Sequence, residues 1–165
     1  MYEYHDQYKR SWERGDVDAQ ARWARQLTWE IARHAVGEEI VMYPLMERYL
    51  GEKGKQLADH DREEHLVSSH FSTRTAATTH LRRQQVKQEL YKLESLSPGT
   101  DEYHTLITRM MTALHHHNDD EEIKDLPLLE PAIGKEASKR AAQEFKTTKK
   151  LAPTRYTTYC PHRLK

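Results

Sequence analysis

The stretch RHAVGEEIVMYP, from Arg33 to Pro44, interrupts a helical face that is otherwise apolar. Apolar residues recur on both sides of it at steps of three and four, which is typical of a helix packed into a protein interior. His34 and Glu38 fall on that same face, where an unpaired carboxylate is costly. These two side chains therefore predict a partner inside the protein. The whole inward series reads Leu27, Ile31, His34, Glu38, Val41 and Leu45.

A second segment carries the same pattern. Its inward series reads Tyr103, Ile107, Met110, Leu114, His117 and Glu121. Glu122 is an alternative to Glu121, because adjacent helical positions differ by only about 100° of rotation. His115 and His116 lie off this face and are predicted to point to solvent. A third, shorter series reads Leu57, Asp61 and His65.

Long helices are predicted because only six glycines and six prolines occur in 165 residues. Four principal helices with short connections predict an all-α, up-and-down antiparallel four-helix bundle with a short C-terminal helix. We assign residues 1–150 to this bundle and residues 151–165 to a flexible tail. The predicted helices run from about Tyr2 to Arg14, from Asp16 or Asp18 to Leu50, from about Glu52 to before Pro98, from Thr100 or Asp101 to about Asp125 before Pro127, and from about Lys135 to Lys150.

The composition excludes several classes of protein. A formal net charge of zero argues against a general nucleic-acid binder, which needs a basic surface. The longest strongly apolar run is Ile40 to Met42, so neither a membrane span nor a signal peptide is expected. The single Cys160 cannot form an internal disulfide, which favours a reducing compartment. We therefore expect a cytoplasmic protein.

A shared metal ion best explains two buried His-x-x-x-Glu pairs. Residues four apart lie one turn apart on the same helix face, so an imidazole nitrogen and a carboxylate oxygen can bind one cation. Imidazole with carboxylate suits iron, manganese or zinc, and the lack of nearby cysteine disfavours thiolate sites. A single such pair is usually a surface ion pair. Two pairs in phase with their apolar series, with His65 on a third helix, favour the metal site.

Three segments, RHAVGEEIVMYPLMERYL, DREEH and HHHNDDEEIKDLPLLE, resemble the signature segments of hemerythrin-like proteins with the HHE cation-binding domain. The resemblance continues through VKQELYKLESLSPG and AAQEFKTTKKLAPTR and covers most of the chain. It implies a four-helix bundle that holds a mono- or dinuclear non-haem iron centre and binds a small diatomic ligand such as oxygen or nitric oxide. At the positions that match the family motifs, the resemblance implies five metal ligands: His34, Glu38, His65, His117 and Glu121.

The sequence departs from the family pattern at two ligand positions. The family has a histidine at the start of its first helix, and the chain begins at or just after that point. His5 lies on the inward face about one turn later and is a possible substitute. The third helix usually offers a second histidine four residues after the first, where this chain has Ser69. Water or an exogenous ligand would then complete the coordination.

A third departure is the stretch from Leu66 to Gln84, where about 18 residues look inserted. It is rich in serine and threonine and has no sustained apolar face. We hypothesise that Val67–Gln84 is a retained intron, because Val67–Ser68 can be encoded by a donor-like GTAAGT and Gln84 by an acceptor-like CAG. Its removal leaves the inward series Leu57, Asp61, His65, Val86, Leu90 and Leu93.

The preferred function is therefore metal binding, with a role in handling oxygen, nitric oxide, peroxide or iron. Two other classes stay open. A metal-dependent oxidase or peroxidase would use the same centre but needs a substrate site that the sequence does not show. A degenerate helical interaction protein would have lost its metal site with the first-helix histidine and the insertion. The sequence specifies no oligomeric state.

Overall fold

The computed structural model describes residues 1–65, 90 and 92–152, and side chains at 63–65 lie outside that description. Every element in this part of the chain is helical. The helices are α1 (Tyr2–Glu13), α2 (Val17–Gly37), α3 (Tyr43–His65), α4 (Asp101–Asp120), α5 (Leu126–Ile133) and α6 (Lys135–Leu151). Residues 90 and 92–95 are also helical. The predicted all-α class is confirmed.

The helices form the predicted bundle. Bundle helix 1 is α1, and it runs antiparallel to α4, because Tyr2 stacks on His115 while Trp12 stacks on His104. Bundle helix 2 comprises α2 and the start of α3. Bundle helix 3 comprises the rest of α3 and the helical residues 90 and 92–95. Bundle helix 4 comprises α4 and α5.

The chain turns between bundle helices 2 and 3 at Gly51. This residue has φ +61° and ψ −135°, a left-handed conformation that favours glycine. The turn is so tight that a Cβ at Gly54 would lie 1.9 Å from the carbonyl oxygen of Met46. The two glycines therefore permit the reversal. The sequence-based end of the second helix at Leu50 agrees with this geometry.

Two π-helical turns lie inside bundle helices 2 and 4. The first, Glu38–Met42, joins α2 to α3, and the second, Glu121–Asp125, joins α4 to α5. In the first, the N–H of Tyr43 donates to the carbonyl of Glu38, five residues earlier. In the second, the N–H of Leu126 donates to the carbonyl of Glu121.

The prediction that the fourth helix stops near Asp125 before Pro127 was wrong. The chain stays helical through the π turn and continues as α5 to Ile133. Proline lacks an N–H, and its ring clashes with the carbonyl four residues earlier in a regular α-helix. A π turn immediately before the proline widens the backbone and relieves this clash. Pro44 is accommodated in bundle helix 2 after the same kind of turn.

The described core consists of two apolar clusters. The first contains Tyr8, Ala24, Leu27, Ile31, Leu90, Leu93, Tyr103, Leu106, Ile107, Met110, Met111 and Leu114. The second contains Tyr43, Met46, Ala58 and Leu129. Bundle helices 2, 3 and 4 each pass from one cluster to the other through polar residues. These are His34, Glu38, Asp61, His117 and Glu121, which we call the polar layer.

Candidate metal centre

The polar layer is buried at Glu38 and Asp61 and partly buried at His34, His117 and Glu121. Glu38 is 2% exposed and Asp61 is 4% exposed. In bundle helix 2, Nε2 of His34 lies 2.7 Å from Oε1 of Glu38. In bundle helix 4, Nε2 of His117 lies 3.5 Å from Oε1 of Glu121. Both pairs therefore adopt the one-turn contact that their spacing predicts.

Three donor atoms from the two bundle helices converge. One ligand atom each from His34, Glu38 and Glu121 lie within 4.8 Å of one another. Metal bonds to nitrogen and carboxylate oxygen are about 2.1 Å long, so ligands on opposite sides of an ion lie about 4.2 Å apart. Small side-chain adjustments would bring these atoms around one cation. The donor set of imidazole and carboxylate suits iron, manganese or zinc.

The electrostatics of the layer also fit a cation. The pKa of Glu121 is raised to about 9, first by burial and then by the negative charge of Glu38. The imidazole of His117 opposes this increase, while Asp61 and Asp125 add to it. Several carboxyl groups thus lie close together where they are poorly solvated, so the negative charge of one disfavours ionisation of the next. A bound cation would favour the ionised carboxylates and remove this penalty.

Comparison with known proteins identifies the family of the chain. A sequence profile described as the hemerythrin HHE cation binding domain matches residues 3–129. The chain belongs to this hemerythrin family. An uncharacterized hemerythrin-like protein of Schizosaccharomyces pombe is 40% identical over 139 residues, which is 84% of this chain and 60% of that protein. The chain thus spans about three fifths of its relative's length. No solved structure shows significant similarity.

The other ligand candidates from the sequence are His65, Glu122 and His5. His65 is the last residue of α3, and its side chain lies outside the described part of the chain. Glu122 is exposed, whereas Glu121 faces Glu38. His5 is half-buried, and the charges that act on its pKa come from Lys9, Asp6, His115 and His104, none of which belongs to the polar layer. The predicted solvent exposure of His115 and His116 is observed.

Two residues of the centre were not assigned a role from sequence. Asp61 is buried on α3, and its charge raises the pKa of both Tyr43 and Glu121. The signal was present, because Asp61 precedes His65 by one turn on the inward face. Tyr43 is fully buried, and burial followed by the charge of Glu38 raises its pKa. A tyrosine at a core position carries no sequence signal that distinguishes it from ordinary packing.

None of the described helices is both long enough and apolar enough to span a membrane.

Proposed function

We propose that this hemerythrin-family chain binds non-haem iron in the polar layer. His34, Glu38, His117 and Glu121 are the proposed ligands, with His65 as a further donor from bundle helix 3. The observation that carries this proposal is the convergence of three donor atoms, from buried Glu38 and partly buried His34 and Glu121, within 4.8 Å. A reducing compartment such as the cytoplasm, favoured by the single cysteine, would keep iron ferrous.

The protein residues have distinct tasks in this centre. The two imidazoles supply neutral nitrogen donors, and the carboxylates compensate the charge and can bridge two ions. When bound, iron supplies an open coordination position for oxygen, nitric oxide or peroxide. The two apolar clusters on either side of the layer disfavour water and charged solutes. Small uncharged diatomic molecules are therefore the ligands that the surroundings admit most readily.

The test is direct metal analysis of the purified chain. Protein loaded anaerobically with ferrous iron should retain about one or two irons per chain after gel filtration, and the ratio reports the nuclearity. Exposure to oxygen should then produce near-ultraviolet charge-transfer absorption. His34→Ala and Glu38→Gln should lose both signals. A folded wild-type protein that retains no iron and shows no absorption would contradict the proposal.

Binding of the gas ligand is tested by a separate measurement. Nitric oxide or oxygen added to the ferrous protein should change its absorption spectrum in a saturable way. Glu122→Gln is the matched control, because this exposed carboxylate neighbours Glu121 without facing the centre. Its spectrum should match that of the wild type. Glu121→Gln is the test variant, and a gas-induced change in it equal to that of Glu122→Gln would indicate iron bound outside the polar layer.

A further inference from the structure

The phenyl ring of Phe145, on α6, packs against the imidazole ring of His34 in a T-shaped arrangement. The ring centroids lie 5.4 Å apart, and the ring planes are inclined by 78°, an arrangement that aromatic pairs prefer. The same imidazole contacts Glu38 through Nε2 at 2.7 Å. Its orientation is therefore set by one contact inside the polar layer and by a second from α6.

The phenyl ring occupies space that a side chain at residue 37 would fill. A Cβ built at Gly37 would lie 2.8 Å from Cε2 and 2.9 Å from Cζ of Phe145. The backbone of Gly37 is ordinary right-handed helix, with φ −63° and ψ −42°. Glycine is therefore not required for its conformational freedom here. It is required for room, because the ring lies directly against the α2 backbone one turn beyond His34.

An ion pair fixes α6 one turn away from this contact. Nζ of Lys149 lies 2.6 Å from Oε1 of Glu30, and both side chains are less than one fifth exposed. Burial acts to raise the pKa of Glu30, but the hydrogen bond and charge of Lys149 lower it. Lys149 follows Phe145 by four residues, and Glu30 precedes His34 by four. The two helices thus run antiparallel in a defined register.

We propose that Phe145 is a positioning residue for the iron centre, acting through His34, and that α6 closes the α2 face of the polar layer. This inference rests on the proposed iron-binding function. Helix α6, with Phe145, thus forms a wall of the site. This wall lies outside the matched domain, because the family match ends at residue 129 and α6 begins at Lys135. A diatomic ligand can pass between packed side chains that exclude a polyatomic chelator. The wall therefore selects ligands by size and protects the metal from chelating groups.

The first experiment uses the metal-free protein. Diethyl pyrocarbonate modifies accessible imidazole nitrogens, and peptide mass spectrometry reports the rate at each histidine. Phe145→Ala should increase the rate at His34 by about threefold to tenfold, since it removes the covering ring. The exposed His115 and His116 should react at unchanged rates. Gly37→Ala should have the same effect from the other side of the contact, because its methyl group displaces the ring.

The second experiment uses the full-length chain loaded with ferrous iron. The rate of iron removal by excess ferrozine should increase by about twofold to tenfold in Phe145→Ala, the range that corresponds to the 0.5–1.5 kcal/mol of an aromatic pair. Phe145→Leu should give an intermediate rate. Because Phe145 and Gly37 act through one contact, the double variant should be no faster than the faster single variant. Leu151→Ala, which removes an 80% exposed apolar side chain from α6, is the control and should release iron at the wild-type rate.

The outcomes separate this inference from the iron proposal. Unchanged labelling of His34 in folded Phe145→Ala and Gly37→Ala overturns the positioning role, whether or not iron binds. Increased labelling with an unchanged rate of iron removal overturns the protective role alone. A wild type that takes up no iron overturns the proposed function, while the labelling rates still decide whether Phe145 holds His34. Circular dichroism of each variant establishes that the protein is folded before these rates are compared.

Discussion

At the scale of single residues, Glu121 and Glu122 are adjacent in sequence and identical in chemistry. The helix places only Glu121 in the polar layer, while Glu122 is exposed. Glu121→Gln should therefore weaken iron binding by about a hundredfold or more, since the loss of a partner that merely orients a ligand already costs 10- to 100-fold. Glu122→Gln should retain the wild-type affinity. Competition titration against a chelator of known affinity measures both, and equal losses would show that neither carboxylate is specific to the centre.

His5 gives a prediction about acid stability. Burial, and then the positive charge of Lys9, lowers the pKa of His5 to about 4, while the unfolded chain titrates near 6.5. Between these values the unfolded state binds more protons, so stability falls as the pH decreases from about 6.5 to about 4. The contribution is about 1 kcal/mol once solvent screening at this half-buried site is allowed for.

The measurement is urea unfolding at pH 7 and pH 4.5. His5→Gln should lose about 1 kcal/mol less than the wild type over this interval. His116→Gln, at an exposed position of α4, should follow the wild type. If His5→Gln shows the full wild-type decrease, another group accounts for the acid sensitivity.

At the scale of elements, the two π turns occur at equivalent places in bundle helices 2 and 4. Each turn begins at the glutamate of a His-x-x-x-Glu pair and ends two residues before a proline. The sequences EEIVMYP and EEIKDLP show this equivalence directly. A proline therefore follows each of the turns that carry Glu38 and Glu121, at the same distance.

Replacement of these prolines should move stability and metal affinity in opposite directions. Pro44→Ala and Pro127→Ala restore an N–H and remove the ring clash, which favours regular α-helix and should raise the unfolding free energy by about 1 kcal/mol. The altered turn should misplace the carboxylate and weaken iron binding by about tenfold, or ~1.4 kcal/mol. Urea unfolding of the metal-free protein and chelator competition measure the two effects.

Pro131 provides the control for this experiment. It lies inside α5, and no π turn immediately precedes it. Pro131→Ala can therefore change helix stability without changing the geometry of Glu121. Parallel decreases of stability and affinity in all three variants would show that the prolines have only a general structural role.

Sequence periodicity predicted the main helices and their inward faces, because burial follows the helical repeat, but it did not predict that the fourth helix continues to Ile133. Leu27, Ile31 and Glu38 are buried at the positions that the repeat indicates. It could not show the π turns, since adding one residue to a turn leaves little trace in the apolar pattern. Nor could it show the contact between Phe145 and His34, which depends on how α6 packs on α2.

At the scale of the whole molecule, the polar layer separates two apolar clusters that contain residues of the same three bundle helices. Without a cation, the carboxyl groups of this layer lie together between the two apolar clusters, where their ionised forms are unfavourable. Iron should therefore stabilise the entire domain. At a free iron concentration about 100 times the dissociation constant, the gain is about 2.7 kcal/mol, which corresponds to roughly 5–10 °C in melting temperature for a domain of this size.

Thermal unfolding with and without ferrous iron, followed by circular dichroism, measures this gain. His34→Ala and Glu38→Gln should unfold at the same temperature with and without iron. Glu122→Gln should keep the wild-type increase. An equal increase in all four proteins would place the stabilising iron elsewhere on the chain.

The hypothesis of a retained intron gives a prediction about chain length. Val67–Gln84 lies outside the described residues, but the elements on both sides of it are placed. Ala58 belongs to one apolar cluster and Leu90 to the other. After removal of these about 18 residues, Leu90 follows Asp61 by about 11 positions, as Glu38 follows Leu27 in bundle helix 2. The shortened chain therefore has the spacing that a continuous bundle helix requires.

The variant that lacks Val67–Gln84 should fold, retain iron and melt at or above the temperature of the full chain. About 18 residues make five helical turns, so their removal preserves the inward face. A variant that lacks only Val67–Arg83 rotates everything after the junction by about 100° and should melt at least about 5 °C lower, because Leu90 and Leu93 then leave the core face. Equal melting temperatures for the two variants would mean that no helix continues across the junction. Sequencing of the mature transcript supplies the independent result, since the hypothesis requires that these codons be absent from it.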